Sequence, residues 1–193
     1  MNVVAIVLLD HVAVKMLAVL EVVHDAGWLH QDIKPANIVT AGKDEEDVSS
    51  LYLIDFGCAR RYRDEYGNHL EFMVGVGAAG TRRYMSINQH DMNRTSRRDD
   101  LEQLAYTLVD LANGTLPWSH INKHRYGRKK SNRMLRDSKM GTPPQVLCTG
   151  LPQQFTEFLQ YVRDLAFTDA PNYSHWIIEF NRISKPFRVR RRE

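Results

Sequence analysis

The sequence predicts a mainly α fold with short β hairpins. Three observations lead there. Apolar residues recur at helical spacing at Ala13, Met16, Leu17, Leu20 and Val23, and again through the mostly apolar run "LEQLAYTLVDLAN" at 101–113. The strand-like stretches, "WLH", "NIVT" and "LYLI", are short and separated by polar turns. A length of 193 residues suits one domain with a core and is short for two.

The elements follow in order. "MNVVAIVLL" is apolar, but no basic residue precedes it and Asp10 and His11 end it. It is expected to be buried structure, not a signal peptide, and it is too short for a membrane span, which takes about 20 apolar residues. The helix from Ala13 has Asp10 as its cap and Gly27 as its stop. "WLH" at 28–30 reads as a strand, and "NIVT" at 37–40 as another. Between them lies the loop of "LHQDIKPANIV". "AGKDEEDVSS" at 41–50 is a polar, acidic turn, and "LYLIDFG" at 51–57 is a strand ending in a carboxylate and a glycine. Asp32 and Asn37 therefore sit in a loop between two strands, with Asp55 at the end of a third. A hairpin of this kind brings Asn37 and Asp55 together.

"GVGAAG" at Gly75–Gly80 fits G-x-G-x-x-G. No apolar strand leads into it, and Thr81 opens a turn instead of a helix, so it reads as a pliant loop. "LEQLAYTLVDLAN" suits the buried centre of a helical domain. "HINKHRYGRKKSNRMLRDSK" at 120–139 carries one acidic residue among many basic ones. Two readings stand: a solvated face, or a docking surface at 123–139 for an acidic partner, an acidic substrate or nucleic acid. The tail "KPFRVRRRE" is a nuclear address or a frayed end. Trp118 and Trp176 are expected in the core, and Cys58 in packing.

Composition narrows the function classes. Hydrophobic residues make up 43% and charged residues 25%, which is ordinary for a soluble globular protein. Lys and Arg number 26 against 23 Asp and Glu, and this mild balance leads us to expect no nucleic-acid partner. Two cysteines are too few for a disulfide framework, which favours a reducing compartment. The histidines lack metal-ligand spacing, so no zinc site is expected.

One constellation carries chemistry. Phosphoryl transfer is catalysed mainly by positioning and charge neutralisation. Magnesium takes hard oxygen ligands, which an aspartate and an asparagine carbonyl supply. A second aspartate can accept the proton of an attacking hydroxyl, and a lysine beside it can steady the phosphate. "HQDIKPAN" followed by "IDFG" supplies all four groups in order.

These two stretches resemble the catalytic loop and the magnesium loop of eukaryotic protein kinases. "SIN" at Ser86–Asn88 with "SRRDDLE" at Ser96–Glu102 resembles the casein kinase 1 superfamily, and "RDSKM" and "DAPNY" lean toward its vaccinia-related kinase branch. The likeness runs from about Asp10 to Ile183. It implies ATP and Mg2+ as cofactors, and protein substrates with serine or threonine acceptors. Asp32 matches the base and Lys34 the lysine that contacts the phosphate. Asn37 and Asp55 match the two magnesium ligands. Thr81 matches the threonine beside base and lysine, and Asp100 the buried aspartate that holds the catalytic-loop backbone. His30 is expected to brace the loop. "GTLPW" at Gly114–Trp118 matches the turn after the central helix. The resemblance assigns 1–183 to a kinase large lobe, with a basic insert at 119–150, and 184–193 to a basic tail. The cysteine count and the basic tail lead us to expect cytoplasm, nucleus or both, and no membrane partner is expected.

Three departures qualify the match. Gln31 stands where the family usually has an arginine that receives an activating phosphate, and glutamine has no charge to do so. No glycine-rich phosphate lid and no Val-Ala-Ile-Lys strand precedes the first helix, so the small lobe is expected to be absent and an apolar surface left uncovered. The third is the basic insert. The leading function is a serine/threonine kinase catalytic domain, in part. The alternatives are a non-catalytic kinase-like interaction protein and a small-molecule phosphotransferase. Lys34, Thr81 and the "SIN…SRRDDLE" segment count against the last.

Overall fold

The computed structural model describes residues 3–40 and 50–188. The acidic turn expected at 41–50 lies outside them except for Ser50, as do the last five residues of the basic tail. Helix α1 (Val3–Asp25) presents Leu9, Ala13, Met16, Leu17 and Leu20 as one buried stripe. Asp10 is therefore not a cap. The spacing of Ile6 and Leu9 continues that of Ala13, so the helix begins upstream, and Asp10 is buried in mid-helix. Gly27 does end the helical run: its N–H donates to the His24 carbonyl at 2.9 Å.

Strand β1 (Trp28–Leu29) pairs antiparallel with β4 (Arg60–Arg61), and β2 (Ile38–Thr40) with β3 (Leu51–Leu53). In the second hairpin Ile38 faces Leu53, so Asn37 and Ile54 follow as neighbours, and the Ile54 N–H donates to the Asn37 carbonyl at 2.9 Å. The hairpin thus sets Asn37 beside Ile54, the residue before Asp55.

The rest is helical: α2 (Ile87–His90), α3 (Arg97–Asn113), α4 (Lys123–Tyr126), α5 (Arg128–Gly141), α6 (Pro144–Leu147), α7 (Gln153–Asp164) and α8 (Tyr173–Arg188). Helix α3 is the centre. Every residue from Asp99 to Val109 is buried, and α1 and α7 pack on it, while α8 lies along α1. Gly114 closes α3 in the left-handed region at φ +70°, where glycine carries no Cβ penalty. Trp118 and Trp176 are core residues as expected, the latter packed edge-on against Phe158 at 5.2 Å between centroids. Helix α8 extends through 184–188, where the basic tail was expected to start, and Ser184 is buried.

The basic run at 123–139 is not solvated throughout. In α5, Ser131, Leu135 and Lys139 recur every fourth residue and are buried, while Arg128, Lys129, Lys130 and Arg133 stay exposed. No helix among the described residues is long and apolar enough to cross a membrane.

Candidate active site

The loop from His30 to Asn37 is held from below by one face of α3. Asp100 accepts the backbone N–H of His30 at 2.7 Å and of Gln31 at 2.8 Å. One turn on, Gln103 accepts the Ile33 N–H at 2.6 Å and donates to the Gln31 carbonyl at 3.0 Å. Thr107 donates its hydroxyl to the Ile33 carbonyl at 3.2 Å. Positions 100, 103 and 107 share one helix face, so a single stripe satisfies the backbone of a buried loop that has no strand partner. Asp100 also takes a hydrogen bond from His24 Nε2 at 2.9 Å, and the other ring nitrogen of His24 meets the Tyr173 hydroxyl.

Gln31 adopts φ +68°, a conformation that costs a non-glycine residue about 1–3 kcal/mol. The strain is held by the Asp100 bond on its N–H and by amide groups of Gln89, at 3.2 Å, and Gln103 on its carbonyl. Gly80 packs directly on this carbonyl. A Cβ at Gly80 would lie 2.3 Å from Gln31 O, and its φ of +96° also demands glycine.

The candidate chemistry sits on top of this frame. One carboxylate oxygen of Asp32 accepts from Lys34 Nζ at 2.6 Å, and the other from the Thr81 N–H at 2.7 Å. Lys34 Nζ also donates to the Thr81 hydroxyl at 3.1 Å. Burial pushes the Asp32 carboxyl upward. The hydrogen bonds from Lys34 and Thr81 and the ammonium charge outweigh it and hold the group below the ordinary carboxylate range. Asp32 is thus ionised throughout the neutral range and free of its proton when a hydroxyl approaches.

Asn37 is buried, and its side-chain N–H donates to the Asp32 carbonyl at 2.9 Å. That bond fixes the amide and leaves its oxygen to serve a cation. Asp55 is exposed, in the left-handed region at φ +65°, and accepts the Gly57 N–H at 3.3 Å. Both side chains offer hard oxygens, the ligand type that Mg2+ takes. His30 braces the assembly as expected. Its Nε2 donates to the Ile54 carbonyl at 3.0 Å, its Nδ1 accepts the Asp32 N–H at 3.3 Å, and its ring stands edge-on to Phe56 at 4.8 Å.

The structure also gives "SIN" and "SRRDDLE" a physical role. Ser86 caps α2, and its hydroxyl donates to Asp99 at 2.6 Å; Asn88 donates to the same oxygen at 3.1 Å. Glu102 accepts the Ile87 N–H at 3.3 Å. The segment after Thr81 is latched to α3 by these carboxylates. Sequence reading missed His24, Tyr173, Gln89, Gln103 and Thr107. For Gln103 and Thr107 a signal existed: polar residues three and seven places after Asp100, on the same face of the helix.

"GVGAAG" is a loop, with Gly75, Gly77 and Gly80 at positive φ. Cys58 is half-buried and Cys148 buried, both as free thiols. Val22, Trp28 and Phe56 are exposed and, with Val23, Ala26 and Ala59, line an apolar cavity of about 480 Å3.

The loop is anchored by the buried Asp100, and its Asp32 carboxylate is paired with Lys34. The family model of the protein kinase domain matches residues 4–169. The chain belongs to the protein kinase domain family.

Proposed function

We propose that this chain is the large lobe of a serine/threonine protein kinase of the casein kinase 1 superfamily, with vaccinia-related kinase-like features. The observation that carries the reading is the linked triple of Asp32, Lys34 and Thr81, three groups within 2.6 to 3.1 Å of one another beside Asn37. Asp32 takes the proton of the acceptor hydroxyl. Lys34 steadies the transferring phosphate, and Thr81 holds base and lysine in register. Asn37 and Asp55 hold the cation. Mg-ATP, when bound, supplies the phosphoryl group and the positive charge that offsets it. A lysine two places after the base supports serine or threonine as acceptor.

Protein substrates approach past Thr81 and meet the exposed arginines and lysines of α5, which suit an acidic segment. The apolar cavity at Val22, Trp28 and Phe56 is where a second, nucleotide-covering lobe would seat. The locations proposed are cytoplasm, nucleus or both. The test is radiolabel transfer in a protein that carries such a lobe ahead of these residues. Asp32→Asn is expected to lower turnover at least about a hundredfold. Near-normal turnover in that variant would remove Asp32 from its role. Absence of transfer in the unmutated protein would favour a non-catalytic interaction protein.

A further inference from the structure

Lys139 has no place in the chemistry above, yet it is completely buried beneath it. Its Nζ lies 3.0 Å from the Arg82 carbonyl, 2.6 Å from the Met85 carbonyl and 3.0 Å from His90 Nε2. The two carbonyls belong to the turn that begins at Thr81, in which the Tyr84 and Met85 N–H groups both donate to the Thr81 carbonyl. Lys139 therefore grips this turn at both of these carbonyls. Trp118 Nε1 holds the Arg83 carbonyl between them at 2.8 Å.

The proton count is closed. Asn132 donates its amide N–H to the His90 carbonyl at 2.9 Å, which turns its side-chain oxygen onto His90 Nδ1 at 2.8 Å. Nδ1 must then carry the imidazole proton, and Nε2 is left with a lone pair. Lys139 thus faces three acceptors, and an ammonium has three N–H donors. A neutral amine has two, and one acceptor would lose its bond.

We propose that Lys139 is a positioning residue of the site: two of its N–H bonds set the shape of the turn Thr81–Met85, the third ties that turn to His90 of α2, and through Thr81 they set the pairing of Asp32 with Lys34. The role in substrate use rests on the kinase reading; the hold on the turn rests on geometry alone. The groups facing Lys139 are His90 from α2, Glu102 and Tyr106 from α3, and Arg163 from α7, whose guanidinium donates to the Lys139 carbonyl at 3.0 Å. Burial, only partly offset by Glu102 and reinforced by Arg163, draws the ammonium down to about 7. His90 is drawn down to about 4, chiefly by burial and then by Lys139, so it remains neutral where Lys139 titrates. The clamp is complete below about pH 7 and loses one donor above it.

The test is hydrogen exchange on the whole chain. In Lys139→Met, which keeps the apolar stem and removes the donors, exchange at Tyr84 and Met85 is expected to quicken at least about tenfold, with the amides of α3 unchanged. In the unmutated chain, the ratio of turn exchange to α3 exchange is expected to rise between pH 6 and 8.5, because intrinsic base catalysis acts on both alike. In a protein competent for transfer, Lys139→Met should raise KM for the protein substrate several-fold and leave KM for ATP within about twofold. Equal acceleration of turn and helix in Lys139→Met, or no acceleration of either, would overturn the proposal. A chain that shows both exchange responses but transfers no phosphate would refute the kinase reading and leave the clamp standing.

Discussion

Replacing Asp100 by alanine tests the idea that α3 holds the catalytic loop. The carboxylate accepts two backbone N–H groups, His30 and Gln31, and a third bond from His24, all inside the protein. Removing it strands buried donors, and breaking such a charged cluster from one side costs about 3–5 kcal/mol. It also releases the strained conformation of Gln31, which returns part of that loss. We take about 4 kcal/mol as the net, against a total stability of about 5–15 kcal/mol for a domain. With an m-value of about 2 kcal/mol/M in urea, the midpoint should fall by about 2 M. The assay is urea unfolding followed by the fluorescence of the buried Trp118 and Trp176. Asp100→Asn keeps one acceptor but turns an amide donor toward the other N–H, so it should cost about half as much. A midpoint shift below about 0.5 M for Asp100→Ala would refute the reasoning, since it would mean that the loop backbone is satisfied by other groups.

Two further predictions rest on single contacts. In Gly80→Ala the new methyl would meet the Gln31 carbonyl at 2.3 Å in a backbone conformation that alanine avoids; the Thr81–Asp32 bond should break, with a loss of at least about 2 kcal/mol read by urea unfolding and faster exchange at Thr81. His90 is held down to about 4 by burial, so the unfolded chain binds a proton that the folded chain refuses between about pH 4 and 6.5. Stability should therefore drop as pH falls through that window, by about 3 kcal/mol when complete, and His90→Asn should flatten the drop in a urea–pH series.

The legible parts of the fold were those where local pattern and burial agree. Helix α3 combines an apolar period with a glycine stop, and the β2–β3 hairpin brackets a polar turn, so both follow from neighbours in the sequence. The pairing of β1 with β4 did not, because Arg60 and Arg61 are exposed and have no alternating apolar pattern to mark a strand. Asp10 was misread because a carboxylate ahead of an apolar run resembles a cap, and nothing local shows that the helix begins earlier. The proposed site residues Asp32, Lys34, Asn37 and Asp55 were singled out by residue type and spacing, and the structure joins Asp32 to Lys34 and Thr81. Of their support, Asp100 and His30 were readable too, but the distant partners were not: His24 reaches Asp100 across 76 positions, and Tyr173 reaches His24 across 149. Lys139 was hidden for a related reason. In a run of basic residues one lysine looks like the next, and only the fourfold spacing with Ser131 and Leu135 distinguishes the buried face.

The claim at the centre of this account is that Asn37 and Asp55 hold a divalent cation beside Asp32. Mn2+ in place of Mg2+ tests it directly, because its unpaired electrons broaden the NMR signals of nearby nuclei. With ADP added to the isotope-labelled chain, Mn2+ is expected to broaden the amides of residues 32–37 and 54–57, and Asp55→Ala is expected to abolish the effect. Broadening that is confined to other residues, or that is as strong in Asp55→Ala as in the unmutated chain, would contradict the account.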